Sequence, residues 1–222
     1  MRPLAVYLAC LGIILILPAM ARCQEILSVE IDADTANLMT TFTVVMSTPR
    51  SRKNVEVLIQ NDERTFKATR RITPSEMTEK QITCELSILA PFDTYRITAA
   101  DDEPPFFVNT KRLVGILTFA KPSTLPWLES PEHQDTVTEK RGAGRGSASF
   151  HLARSEATRL LIVVFDAEGR IADQYFGLYP SRRAWTSRPL PFGTYHFAMA
   201  GADKSGNPVE VNPERAFLEL TP

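Results

Sequence analysis

Histidine and cysteine are scarce in this chain, with three of each among 222 residues. Metal sites and general acid–base catalysis draw heavily on those two types, so little of either chemistry can be assembled. His133 sits in the stretch PEHQD beside Glu132 and Asp135. Neighbours in sequence rarely converge on one ion, so it reads as part of a solvated loop. His151 and His196 fall on alternating stretches, and His196 takes the outward parity between Tyr195 and Phe197. No serine has the strand–turn–helix setting of a nucleophile elbow. Gly142, Gly144 and Gly146 form a glycine-rich run, but it opens onto a strand instead of a helix and is no phosphate cradle. The expectation is a non-catalytic chain with no cofactor and no metal.

Charge of one sign is also missing. Formal net charge is -1, so no global field draws nucleic acid or an acidic membrane. No Asn-x-Ser/Thr triplet occurs, which excludes asparagine-linked glycosylation. After the first residues there is no apolar run of spanning length. That first run, Leu4 to Leu17, follows a cation at Arg2 and stops at Pro18; Ala19 and Ala21 then supply the small residues an export peptidase reads. Residues 1–21 are therefore expected to be a cleaved signal peptide, and the mature chain secreted or periplasmic, with no membrane span. The short run argues against an uncleaved anchor, and the bulky charge of Arg22 against lipidation of Cys23. Loss of Cys10 with the signal leaves Cys23 and Cys84, and two cysteines in an oxidising compartment are expected to pair. The alternative is a buried thiol at Cys84.

What the chain has in quantity is alternation of period two. Phe42, Val44 and Met46 alternate with Thr41, Thr43 and Val45; Val55, Val57 and Ile59 with Glu56, Leu58 and Gln60. Ile82, Cys84, Leu86 and Ile88 share one side of a third stretch. These are half-buried strands. The later stretches SASFHLA, RRAWTSRPL, TYHFAMAGAD and RAFLEL continue the pattern. TRLLIVVFDAEGRIADQYFG reads as a hairpin, with Gly169 supplying a positive φ in the turn from Asp166. TPSEMTEKQ, the one candidate for a helical turn, reads as a loop. AKPSTLPWLESP, with three prolines that cannot donate to a ladder, separates the halves. The expected organisation is all-β: a sandwich over 24–120, a proline-containing linker over 121–125, and a second sandwich over 126–222.

Two stretches are nearly the same. PFDTYRITAAD starts at Pro91 and PFGTYHFAMAGAD at Pro191. Leu89 or Leu190 precedes the proline, a corner follows, and Tyr95 or Tyr195 begins an alternating strand. This run resembles the E–F corner of fibronectin type III and related immunoglobulin-like domains, and GADKSGNP is similar to a strand end of bacterial immunoglobulin-like repeats. The resemblance implies two tandem Greek-key sandwiches of about seven strands each. It also implies a structural role for Tyr95 and Tyr195, whose hydroxyls would bond back to backbone at the crossover between sheets. The type III tryptophan on strand B has no counterpart: Val44 and Met46 stand there in one half, Phe150 and Leu152 in the other.

In such a sandwich the B–C and F–G loops share one pole. On this reading Arg50, Arg52 and Lys53 of the first B–C loop lie beside Asp101, Asp102 and Glu103 of the F–G connection, at the end away from the linker. That tip is the expected partner-binding surface. The matching pole of the second sandwich, with Arg154, Glu156 and Lys204, is expected to face the first and be partly hidden. The functional expectation is an exported recognition or adhesion module for a protein or glycan partner. A structural spacer in a surface or matrix assembly is the alternative, and a small secreted hydrolase a more distant one.

Overall fold

A computed structural model describes residues 26–34, 37–48, 54–77, 80–99, 104–113, 123–126 and 145–221. The fold is all-β. Among the described residues only two short 3-10 turns, Pro74–Glu76 and Thr110–Leu113, interrupt the strands. The first turn lies in the stretch read as a loop, and the Glu76 carboxylate closes it by accepting from the Thr73 N–H at 2.8 Å. No helix among the described residues is long and apolar enough to cross a membrane.

Four antiparallel sheets form two facing pairs. In the first half, β1 (Ile26–Asp34), β2 (Met39–Ser47) and β5 (Gln81–Leu89) make one sheet in the order β1-β2-β5. Opposite it lie β3 (Val55–Asn61), β4 (Lys67–Ile72), β6 (Thr94–Thr98) and β7 (Phe106–Asn109), in the order β4-β3-β6-β7. Alternation decides which face is inside: Phe42, Val44, Met46, Val57, Ile59, Tyr95 and Ile97 meet in one core.

The second half uses β8 (Ser123–Thr124), β9 (Arg145–Leu152), β10 (Arg159–Asp166), β11 (Ile171–Leu178), β12 (Ala184–Thr186), β13 (Leu190–Pro191), β14 (Tyr195–Ala202), β15 (Pro208–Val209) and β16 (Pro213–Thr221). One sheet runs β11-β10-β14-β15, with β8 also on β14; in the other, β9 is flanked by β16 and by the broken pair β12 and β13. No described strand of one half pairs with a strand of the other. Ser123 and Thr124, within the stretch read as linker, pair with Phe197 and His196, and Leu125 is buried in the second core.

The two halves are not copies. In the first, the opening strand β1 flanks β2. In the second, the equivalent edge of β9 is taken by the last strand, β16, while the opening strand β8 flanks β14. Prolines mark the crossing. Pro208 and Pro213 bound the short β15 and the start of β16, and neither can donate to a continuing ladder. The chain leaves β14 there and joins the opposite sheet.

β10 does not alternate. Leu160 to Phe165 are all fully buried, the pattern of a strand covered on both faces. Leu160, Ile162 and Val164 face the second core. Leu161, Val163 and Phe165, with Ala200 and Ala202 of β14, pack against Leu38, Met39, Leu89, Phe92 and Leu113 of the first half. One end of the first sandwich thus seats on a sheet face of the second. The expected contact through the pole of Arg154, Glu156 and Lys204 is overturned: all three are exposed. Burying the apolar run of β10 required a face, and a pole of charged turns could not have covered it.

Candidate functional site

The site is built outward from the first corner. The hydroxyl of Tyr95 donates to the Pro91 carbonyl, and its ring meets Phe42 and Phe66 edge-on at 5.2 and 5.7 Å. Burial pushes this phenol far above its usual range. Tyr195 makes the matching bond to the Pro191 carbonyl at 2.8 Å, and burial raises its phenol as well. A ring anchored at both ends holds the chain as it passes between sheets.

Beside the first corner, Asn61 is buried yet fully engaged. Its amide donates to Thr65 Oγ1 at 2.9 Å and to Asp93 Oδ2 at 3.1 Å, while its oxygen accepts from the Phe66 N–H at 2.9 Å. Asp93 accepts from Lys111 Nζ at 3.2 Å. The β3–β4 turn and the segment after β7 are therefore tied to the same corner, which positions Glu63 and Lys111 at the seam between halves.

The second half meets them with its β10–β11 hairpin. Asp166 Oδ1 accepts from the N–H groups of Glu168 and Arg170 at 3.1 and 2.9 Å, and Gly169 adopts φ 77. Glycine takes that left-handed conformation without Cβ strain. Burial alone would raise the Asp166 carboxyl, but the Arg170 N–H and guanidinium outweigh it and hold the group below its ordinary value. Further along β11, Asp173 accepts from the Arg188 N–H at 2.9 Å.

Between these walls lies a cleft of about 660 Å³, lined by Glu63, Lys111, Arg170, Ile171, Asp173 and Arg188 among others. Its volume suits a small ligand or a short chain segment. Its chemistry is mixed charge: Lys111 pairs with Asp93, Arg170 with Asp166 and Glu168, and Arg188 with Asp173. Such a surface can exchange internal ion pairs for those of a polar partner.

Other residues singled out in the sequence fall elsewhere. Cys84 is buried, which raises the pKa of its thiol; Cys23, its expected partner, lies outside the described residues. Arg50, Arg52, Lys53, Asp101, Asp102, Glu103 and His133 also lie outside them. His151 stacks on Phe217, and His196 Nδ1 sits 3.2 Å from Thr124 Oγ1. Among the described residues no three His, Cys, Asp or Glu side chains group to hold a metal. Sequence reading missed Lys111, Gln174 and Arg188, which are far apart in the chain. The unbroken apolar run of β10 was the signal that a second surface must cover it. No protein-family model matches this chain, and no curated protein matches it.

Proposed function

We propose that the chain is an exported, non-catalytic recognition module of two immunoglobulin-like sandwiches that binds a partner through rigidly held polar groups. The observation that carries this reading is the composite cleft. Glu63 and Lys111 come from one half, Arg170, Asp173 and Arg188 from the other. The apolar cluster between the halves sets their separation, so the constellation is preorganised, which lowers the ordering cost of binding. The partner that fits is a polar, mixed-charge segment of another protein. Arg50, Arg52, Lys53, Asp101, Asp102 and Glu103 lie outside the described residues. They remain the proposed second contact. A spacer role is less well supported, because seating one sandwich on the face of the other shortens the reach of the pair.

A photo-crosslinking residue placed at Ile171 tests the reading against one at the exposed Leu178. Crosslinks from Ile171 that disappear with Lys111→Glu and Arg188→Glu support it. Equal crosslinking from both positions, or capture that ignores the charge reversals, removes the cleft from the reading.

A further inference from the structure

The outer faces of the first sandwich segregate charge, although the whole chain is close to neutral. On the β1-β2-β5 sheet, the register aligns Glu30, Thr43 and Glu85 in one row and Asp32, Thr41 and Ser87 in the next. That face carries carboxylates and hydroxyls. On the β4-β3-β6-β7 sheet, the corresponding row is Lys67, Gln60, Arg96 and Phe107. Thr69, Leu58 and Thr98 form the next row, and Arg71 lies opposite Glu56 beyond it. Lys67, Arg71 and Arg96 are exposed and make no ion pair among the described residues. Glu56 is the one carboxylate among the outward residues of these four strands. Phe107 stands 58% exposed at the end of the Lys67 row.

We propose that this face binds a linear acidic polysaccharide. The sheet sets the spacing. Lys67 and Arg96 are two strands apart, about 10 Å, and Arg71 is about 13 Å along β4 from Lys67. That lattice suits charges repeating along a polymer rather than one compact anion. Gln60 and Thr69 lie between the cations and Thr98 beside Arg96, and all three can hydrogen-bond sugar hydroxyls. Phe107 offers a flat apolar surface for a sugar ring. A protein partner is the poorer fit, since a stable interface needs about 800 Å² per side around an apolar centre, and this face presents only one exposed aromatic and the half-buried Leu58. The acidic face behind would repel the same polymer, so binding has one orientation.

The test uses the full chain with dextran sulfate and polygalacturonate as sulfated and carboxylated probes, and polyglutamate and neutral dextran as comparisons. Binding to at least one acidic polysaccharide should weaken with salt and fall at least tenfold in the double variant Lys67→Glu, Arg96→Glu. Phe107→Ala should weaken it several-fold without changing the salt slope, because it removes a contact and no charge. The charge-matched control, Arg182→Glu with Arg215→Glu, should leave binding within twofold. Equal loss in the control, or no loss in the Lys67/Arg96 variant, overturns the proposal. So does polyglutamate binding as tightly with Phe107→Ala silent, or salt-sensitive self-association with no polysaccharide binding. These surfaces are distinct from the seam cleft, so failure of one leaves the other standing.

Discussion

The side-chain amide of Gln174 clamps the backbone of Phe92 across the seam. Its oxygen accepts from the Phe92 N–H and its nitrogen donates to the Phe92 carbonyl, both at 3.0 Å. Phe92 is itself fully buried at the apolar contact between the halves. The corner residue after β5 therefore satisfies its peptide groups in trans, from the other half. An apolar seam alone would allow sliding; a two-bond amide contact sets one register.

Gln174→Ala should destabilise the protein by about 1–3 kcal/mol, because it strands two buried backbone groups with no partner. Denaturant unfolding measures the loss. Hydrogen exchange at the Phe92 amide should rise by more than at core amides such as Ile59. A variant as stable as wild type would mean water replaces the amide freely.

The two corners offer an internal comparison. Tyr95→Phe removes the bond to Pro91, and Tyr195→Phe the bond to Pro191. Each should cost about 0.5–1.5 kcal/mol, with Tyr95→Phe the larger since its ring sits wholly in the core. Equal melting temperatures for wild type and Tyr95→Phe would show that the hydroxyl contributes nothing to the crossover.

Gly201 lies on β14 where the second core comes closest. A Cβ there would stand 2.4 Å from Val211 Cγ2 and 2.8 Å from Ala157 Cβ. Gly201→Ala should therefore destabilise by about 1–3 kcal/mol through overpacking. Adding Val211→Ala should recover part of that loss, and a double-mutant cycle measures the coupling. Additive losses would place the strain elsewhere.

Acid should loosen two turns. Asp203 accepts from the side chain and N–H of Asn207, which lowers its pKa; Asp166 is lowered by its Arg170 bonds once they overcome burial. A carboxyl depressed in the fold stabilises it fully above the unfolded value of about 3.9 and loses that contribution as pH falls through the folded value. Urea unfolding of wild type should therefore weaken from pH 5 to below pH 3. The double variant Asp166→Asn, Asp203→Asn should weaken less over that window. A parallel decline in both proteins would assign the acid sensitivity to other carboxylates.

Local chemistry was legible in the chain because strand alternation, turns and the repeated corner depend on residues close in sequence. Phe42, Val44 and Met46 point inward as period two requires, and the turn at Gly169 has the positive φ its composition demands. β2, β3 and β5 could be read from that pattern alone, whereas β4 (Lys67–Ile72), rich in exposed cations, could not. Nor could three further features. The exchange of edges by β8 and β16 depends on which ladder was open when the chain passed Pro213. The seam depends on matching Leu38 and Phe92 to Val163 and Phe165, which are widely separated in the chain. The row of Lys67, Arg96 and Phe107 depends on register, because hydrogen bonding between strands aligns residues that sequence separates. Sequence by itself determined strands, turns and corners through short-range sterics and burial; only the tertiary structure decided which strand lies beside which, since that choice is made by surfaces meeting in space.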